Sequence, residues 1–155
     1  MADEVPSLHA WAGGDDAFRR LIEAFYDRVE QDHRFDRLFP GGVSRDHRDH
    51  VVRWWIEVFG GADGYTRNLG GYPAMLAHHR GLQITAEERL AFATLMSLAA
   101  DDAGLPADPE FRAAFMGYVE WGTRLALHNS AIDADVVEDA PVPHWGWGVA
   151  PPYQP

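Results

Sequence analysis

A chain of 155 residues is long enough for one domain with a real core and a pocket beside it. Its formal net charge of -11, with no basic stripe, argues against nucleic acid and anionic lipid surfaces as partners. The absence of cysteine removes disulfides, zinc–thiolate centres and iron–sulfur clusters, so any metal must be held by His, carboxylate or Tyr. The opening "MADEVPSLHAWAGG" lacks the basic and apolar regions of a secretory signal, and no apolar run approaches membrane-spanning length. A cytoplasmic location is the expectation.

The periodicity is helical almost throughout, and the expected fold class is all-α. After "WAGGDD" come Phe18, Leu21, Ile22, Phe25, Tyr26 and Val29 at i, i+3, i+4, i+7, i+8 and i+11. Asp15 or Asp16 is the expected cap of that helix, behind the Gly13–Gly14 break. "HRFDRLFPGG" predicts a short turn region. Ser44 then caps a second helix whose stripe is Val51, Trp54, Trp55 and Val58, reaching back one turn to His47. Gly60 and Gly61 end it, and a polar, Gly-rich loop is expected up to Gly71. Pro73 suits the first helical position of the short segment "AMLAHH". Thr85 and Glu88 have capping-box spacing ahead of Phe92, Leu95, Met96 and Ala99. Asp108 and Pro109 open a last helix with Phe111, Phe115, Tyr118, Gly122 and Leu125 on one stripe.

The final residues differ in kind. "EDAPVPHWGWGVAPPYQP" holds five of the ten prolines and cannot continue a helix. Trp145, Trp147 and Tyr153 are too apolar for a wholly solvated segment. This tail either lies back across the domain, the favoured reading, or docks a partner. The expected division is an N-terminal segment over 1–12, a helical domain over 13–130 and an extended tail over 131–155.

Eight histidines raise the question of a ligand. His9, His33, His128 and His144 sit near helix ends or in the tails and read as bystanders. His79 follows Met75 by four residues and Leu76 by three, which places it on the apolar face of its short helix. His78 points elsewhere, towards the rim. One inward imidazole among Phe, Trp, Val and Leu suits haem, which needs a flat apolar slot, one neutral nitrogen ligand and polar groups at the mouth. Tyr26 and His47 each end an inward stripe on a different helix and can offer a hydrogen bond to a diatomic ligand opposite His79.

In order and spacing, the chain resembles the truncated haemoglobins, most closely their second group. The shared pieces are the Gly-Gly break, "FYDRV" at 25–29, "RLFP" at 37–40, "VFGG" at 58–61, "GYP" at 71–73, and His79 five residues before Ile84. The match runs from about residue 13 to 130. The resemblance implies the two-over-two helical sandwich of those globins, haem b as cofactor, and O2 and other small diatomics as ligands. It makes His79 the proximal ligand, with Nδ1 bonded to a carbonyl near Met75. It makes Tyr26 the first distal donor and His47 the second, and brings Phe39, Val51, Trp54, Trp55, Met75 and Leu76 onto the haem. Two departures stand out. Phe92 occupies the place of the group's usual tryptophan, which removes an indole donor, while His47 stands where the group is often small. His50 replaces an arginine that often meets a propionate, which leaves Arg53, Arg80 and Tyr65 as candidates.

The resemblance leaves the role open between oxygen storage or transport, sensing, conversion of nitric oxide to nitrate, and peroxide reduction. Redox turnover needs a separate reductase, since nothing resembles a flavin or nicotinamide domain. Two other classes compete. One is a non-haem metal centre built from His47, His50, His78 and His79 with Asp46 or Asp49; it lacks the Glu-x-x-His pattern of di-iron bundles. The other is a haem-free interaction module.

Overall fold

The computed structural model describes residues 4–149 and 152. Among these there are seven α-helices, one 3-10 turn and no strand. The helices are α1 (Leu8–Ala12), α2 (Asp15–Glu30), α3 (Arg45–Val58), α4 (Gly64–Asn68), α5 (Gly71–His79), α6 (Ala86–Asp102) and α7 (Pro109–Asn129), with the 3-10 turn at His33–Phe35. No described helix is long and apolar enough to cross a membrane.

Local chemistry starts the long helices where the residue types require. Ser44 accepts from the His47 amide at 3.1 Å, and Asp108 from the Phe111 amide at 3.0 Å ahead of Pro109. Thr85 and Glu88 close a full capping box. Helix α2 differs from expectation. Gly13 and Gly14 both have positive φ, Gly14 takes the cap position, and Asp15 and Asp16 fall inside the first turn. There they act on the helix dipole instead of capping by side chain.

Two short helices were not foreseen. Ser7 caps α1, within the segment expected to be only a lead-in. Helix α4 forms inside the expected loop because Glu57, buried on α3, accepts from both the amide and the hydroxyl of Thr66, at 2.8 and 2.5 Å. Helix α5 begins at Gly71, two residues ahead of Pro73. The proline still lies in the first turn, where a missing N–H costs no helical bond.

Helix α2 packs on both α3 and α6, and α6 packs on α7, which sets the α2–α3 pair against the α6–α7 pair. Phe18, Phe25, Phe59, Met96, Phe111 and Phe115 fill the space between them and are fully buried. Helix α5 reaches α7 from the side, next to an opening left between the pairs. The tail lies back across the domain. The Trp145 amide donates to the Val58 carbonyl at 2.7 Å, its indole donates to the Ala114 carbonyl at 2.9 Å, and the Trp147 indole donates to the Pro6 carbonyl at 2.8 Å. Val142 is buried. Tyr153 lies outside the described residues.

Candidate haem site

A cavity of about 440 Å³ lies between α3, α5, α6 and α7. Every residue expected at the iron, at the ligand or against the haem lines it, whereas Arg53 and Arg80, expected as propionate partners, do not and are exposed. Helix α2 contributes Tyr26, and the turn after it contributes Phe39. His47, Val51, Trp54 and Trp55 come from one stripe of α3, and Tyr65 from α4. Met75, Leu76 and His79 come from α5, and Phe92 from α6. A volume of this size and such apolar walls fit a flat organic cofactor.

The two adjacent histidines have separate surroundings. His78 is exposed, whereas His79 is half-buried and its Nδ1 donates to the Met75 carbonyl at 2.8 Å, one turn earlier. That bond fixes the tautomer with the proton on Nδ1, so Nε2 keeps its lone pair for a metal. Burial lowers the pKa of His79, against the opposing effect of the Met75 carbonyl, and so favours the neutral ring. One neutral imidazole in an aromatic slot is the donor set haem requires.

Opposite in character is the pair Tyr26 and His47. Tyr26 Oη and His47 Nε2 lie 3.0 Å apart, and both rings meet Phe39 edge-on with centroids 5.7 and 5.4 Å away. Burial raises the pKa of the Tyr26 phenol, so it stays protonated. Burial also lowers the pKa of His47, helped by the neighbouring His78, His79 and His50. With both groups neutral, the tautomer of His47 decides which one donates. If Nε2 carries the proton, it donates to Tyr26 and leaves the phenol O–H free to turn into the cavity.

Behind Tyr26 stands Arg48, which is buried and which sequence reading missed. Its guanidinium meets Glu23, Asp27 and Glu30 of α2 at 2.9, 3.0 and 2.6 Å, and its Cζ lies 5.8 Å from the centre of the Tyr26 ring. Also missed were Tyr72, Ile84, Tyr118, Trp121 and Asn129 on the cavity wall. Tyr118 lay on the α7 stripe, where the spacing identifies a core position without saying that it borders a cavity. Its oxygen accepts from the Trp54 indole at 2.7 Å.

At the mouth, His50 and His78 line the cavity and are exposed. Arg80 turns to Glu138 of the tail at 2.8 Å. Tyr65 is buried against Trp54 instead of standing at the rim. Among the described residues no group of three or more His, Asp and Glu can hold a metal ion. The non-haem centre of four histidines and a carboxylate is therefore not supported.

The bacterial-like globin family model matches residues 7–120. The chain is 28% identical over 117 residues to the group 2 truncated hemoglobin YjbI of Bacillus subtilis (strain 168), covering 76% of this chain and 86% of that protein. It is similar to the solved hemoglobin of Chloroflexus aurantiacus, with 30% identity, a TM-score of 0.69, and 79% of this chain and 98% of that one covered. The group II truncated hemoglobin of Bacillus anthracis shares the fold with a TM-score of 0.72 at 18% identity, over 89% of this chain and all of that one (100%). The chain belongs to the bacterial-like globin family and is a haem-binding truncated haemoglobin of the second group.

Proposed function

We propose that the cavity takes haem b with His79 Nε2 as the iron ligand, and that the protein reversibly binds O2 and other small diatomics on the wall formed by Tyr26 and His47. The observation that carries this reading is the Nδ1–H bond of His79 to the Met75 carbonyl, which leaves Nε2 unprotonated in an apolar slot. Haem iron held on one side by histidine supplies an open coordination position for a diatomic. Phe39, Val51, Trp54, Trp55, Leu76 and Phe92 exclude water from that slot, and Met75 fixes the proximal ring. Tyr26 is the first donor to the ligand and His47 the second. The Tyr26 bond occupies His47 Nε2, which works against His47 taking the iron itself. His50 and His78, at the mouth, are better placed for propionates than Arg80, which is engaged by Glu138. A chain without cysteine has no thiol for covalent haem attachment, which favours the b type.

The test is spectroscopic. Protein purified with haem should show an intense Soret band that His79→Ala abolishes and His78→Ala preserves, and acid–butanone should extract all the pigment. Loss of the band in His78→Ala with retention in His79→Ala would reverse the assignment. Oxygen transport, nitric oxide oxidation and peroxide reduction share this pocket. The last two need an outside electron donor, and any reductase that supplies it is a separate protein.

A further inference from the structure

The cavity has an aromatic side that ligand binding does not use. Trp121, on α7, lines the cavity and is also 41% exposed to solvent, the most exposed tryptophan among the large hydrophobics on the surface. Its ring centroid lies 6.2 Å from Tyr118 and 5.6 Å from Trp145, and Tyr118 and Trp145 are themselves 5.6 Å apart. Tyr118 is hydrogen-bonded to the Trp54 indole, which lies on the cavity wall, and meets Trp55 edge-on at 5.1 Å. Contacting rings therefore run from the inner wall of the cavity to the surface, with no aliphatic gap. The tail completes them, because Trp145 reaches α7 only by the fold-back that bonds its indole to Ala114.

We propose that Trp121 is an electron-entry site, through which the protein oxidises one-electron donors too large for the cavity, with hydrogen peroxide as the oxidant. This rests on the haem reading above. In each turnover two donor molecules lose one electron each at Trp121. Peroxide takes up the two electrons and two protons, its O–O bond breaks, and two molecules of water leave. An indole suits the exposed end because it can give up an electron without first losing its proton, whereas buried Tyr118 has, among the described residues, no base beside its hydroxyl to take one. The net charge of -11 stabilises a cationic indole and attracts cationic donors.

The experiment uses the haem-loaded protein, ferrocytochrome c as a large basic donor and guaiacol as a small one. In the presence of peroxide and 2-methyl-2-nitrosopropane, peptide mass spectrometry should find the spin-trap adduct on Trp121. Trp121→Phe, conservative at a half-exposed position, should lose that adduct and lower the ratio of ferrocytochrome c to guaiacol oxidation at least tenfold. An adduct confined to Tyr26 or any other residue, or an unchanged ratio, overturns the proposal. If the Soret band is present in those samples, the haem reading survives that failure; if the band is absent, both fall together.

Discussion

Tyr26 and His47 share one hydrogen bond, so neither can be replaced without changing what the other offers to a ligand. Removing the phenol O–H in Tyr26→Phe deletes the group proposed as first donor to the ligand. A hydrogen bond to a charged acceptor contributes about 1.5–3 kcal/mol, so oxygen should leave roughly ten- to a hundredfold faster. His47→Leu removes the partner that orients the phenol but leaves its O–H, and a smaller increase is expected. Stopped-flow measurement of the two off-rates checks both, and unchanged rates in both variants would refute this distal pocket. Arg48 is a positioning residue for the same pair, since it ties α3 to three carboxylates of α2 and lies over the Tyr26 ring. Arg48→Met leaves those carboxylates facing one another. Breaking a buried pair costs about 3–5 kcal/mol, and the partial exposure of the partners brings the expected loss to about 2 kcal/mol, read from urea unfolding. That His79, Tyr26 and His47 face the cavity was legible in the sequence, because helical spacing and ordered motifs put them on inward stripes. Arg48 was not, because its significance comes from carboxylates on another helix, and charge at that position reads as solvated surface.

At the scale of elements, the starts of α3, α6 and α7 were legible because a cap is a local event within four residues. Helices α1 and α4 were not, since five residues are too few for periodicity and α4 depends on Glu57 reaching across from α3. Glu88 shows how a cap becomes a tertiary joint. Besides closing the capping box, it receives Arg37 at 2.6 and 3.2 Å, while Arg37 also donates to the Leu82 and Gln83 carbonyls just after α5. Burial opposes the charge on Glu88, but Arg37 and the Thr85 amide outweigh it and hold its carboxyl below the ordinary value near 4.5. A carboxyl depressed in the folded state adds stability that is present above its unfolded pKa and is lost as pH falls through its folded one. Glu88→Gln should therefore be less stable than wild type at pH 7, and the difference should shrink once pH drops below about 4. Thermal melts across that range read the difference; a gap that stays constant would show that the carboxylate charge is not involved.

For the whole molecule, the tail is the least legible part, because its composition forbids a helix without saying where the chain goes. Its path depends on contacts far apart in sequence: Trp145 with Val58 and Ala114, Trp147 with Pro6, and the Trp147 ring edge-on to Trp11 at 5.5 Å. The Trp145 ring lies close over α7 at Gly117, where even a Cβ would stand in ordinary van der Waals contact with it at 3.6 Å. The tail thus closes over the junction of α1, the end of α3 and α7. It also pairs Glu138 with Arg80, the residue directly after His79. Truncation after Ala140 removes buried Val142 and both tryptophans. Deleting a packed tryptophan costs about 3–5 kcal/mol in a core, and these are only half-buried, so a loss of about 3 kcal/mol is expected. In a domain of this size that lowers Tm by roughly 6–12 °C. Trp145→Ala alone should account for most of it, because its ring bridges Tyr118 and Trp121 on α7. A truncated protein melting within about a degree of wild type would mean that the fold-back adds no stability, and the tail's aromatic residues would then need a partner to explain them.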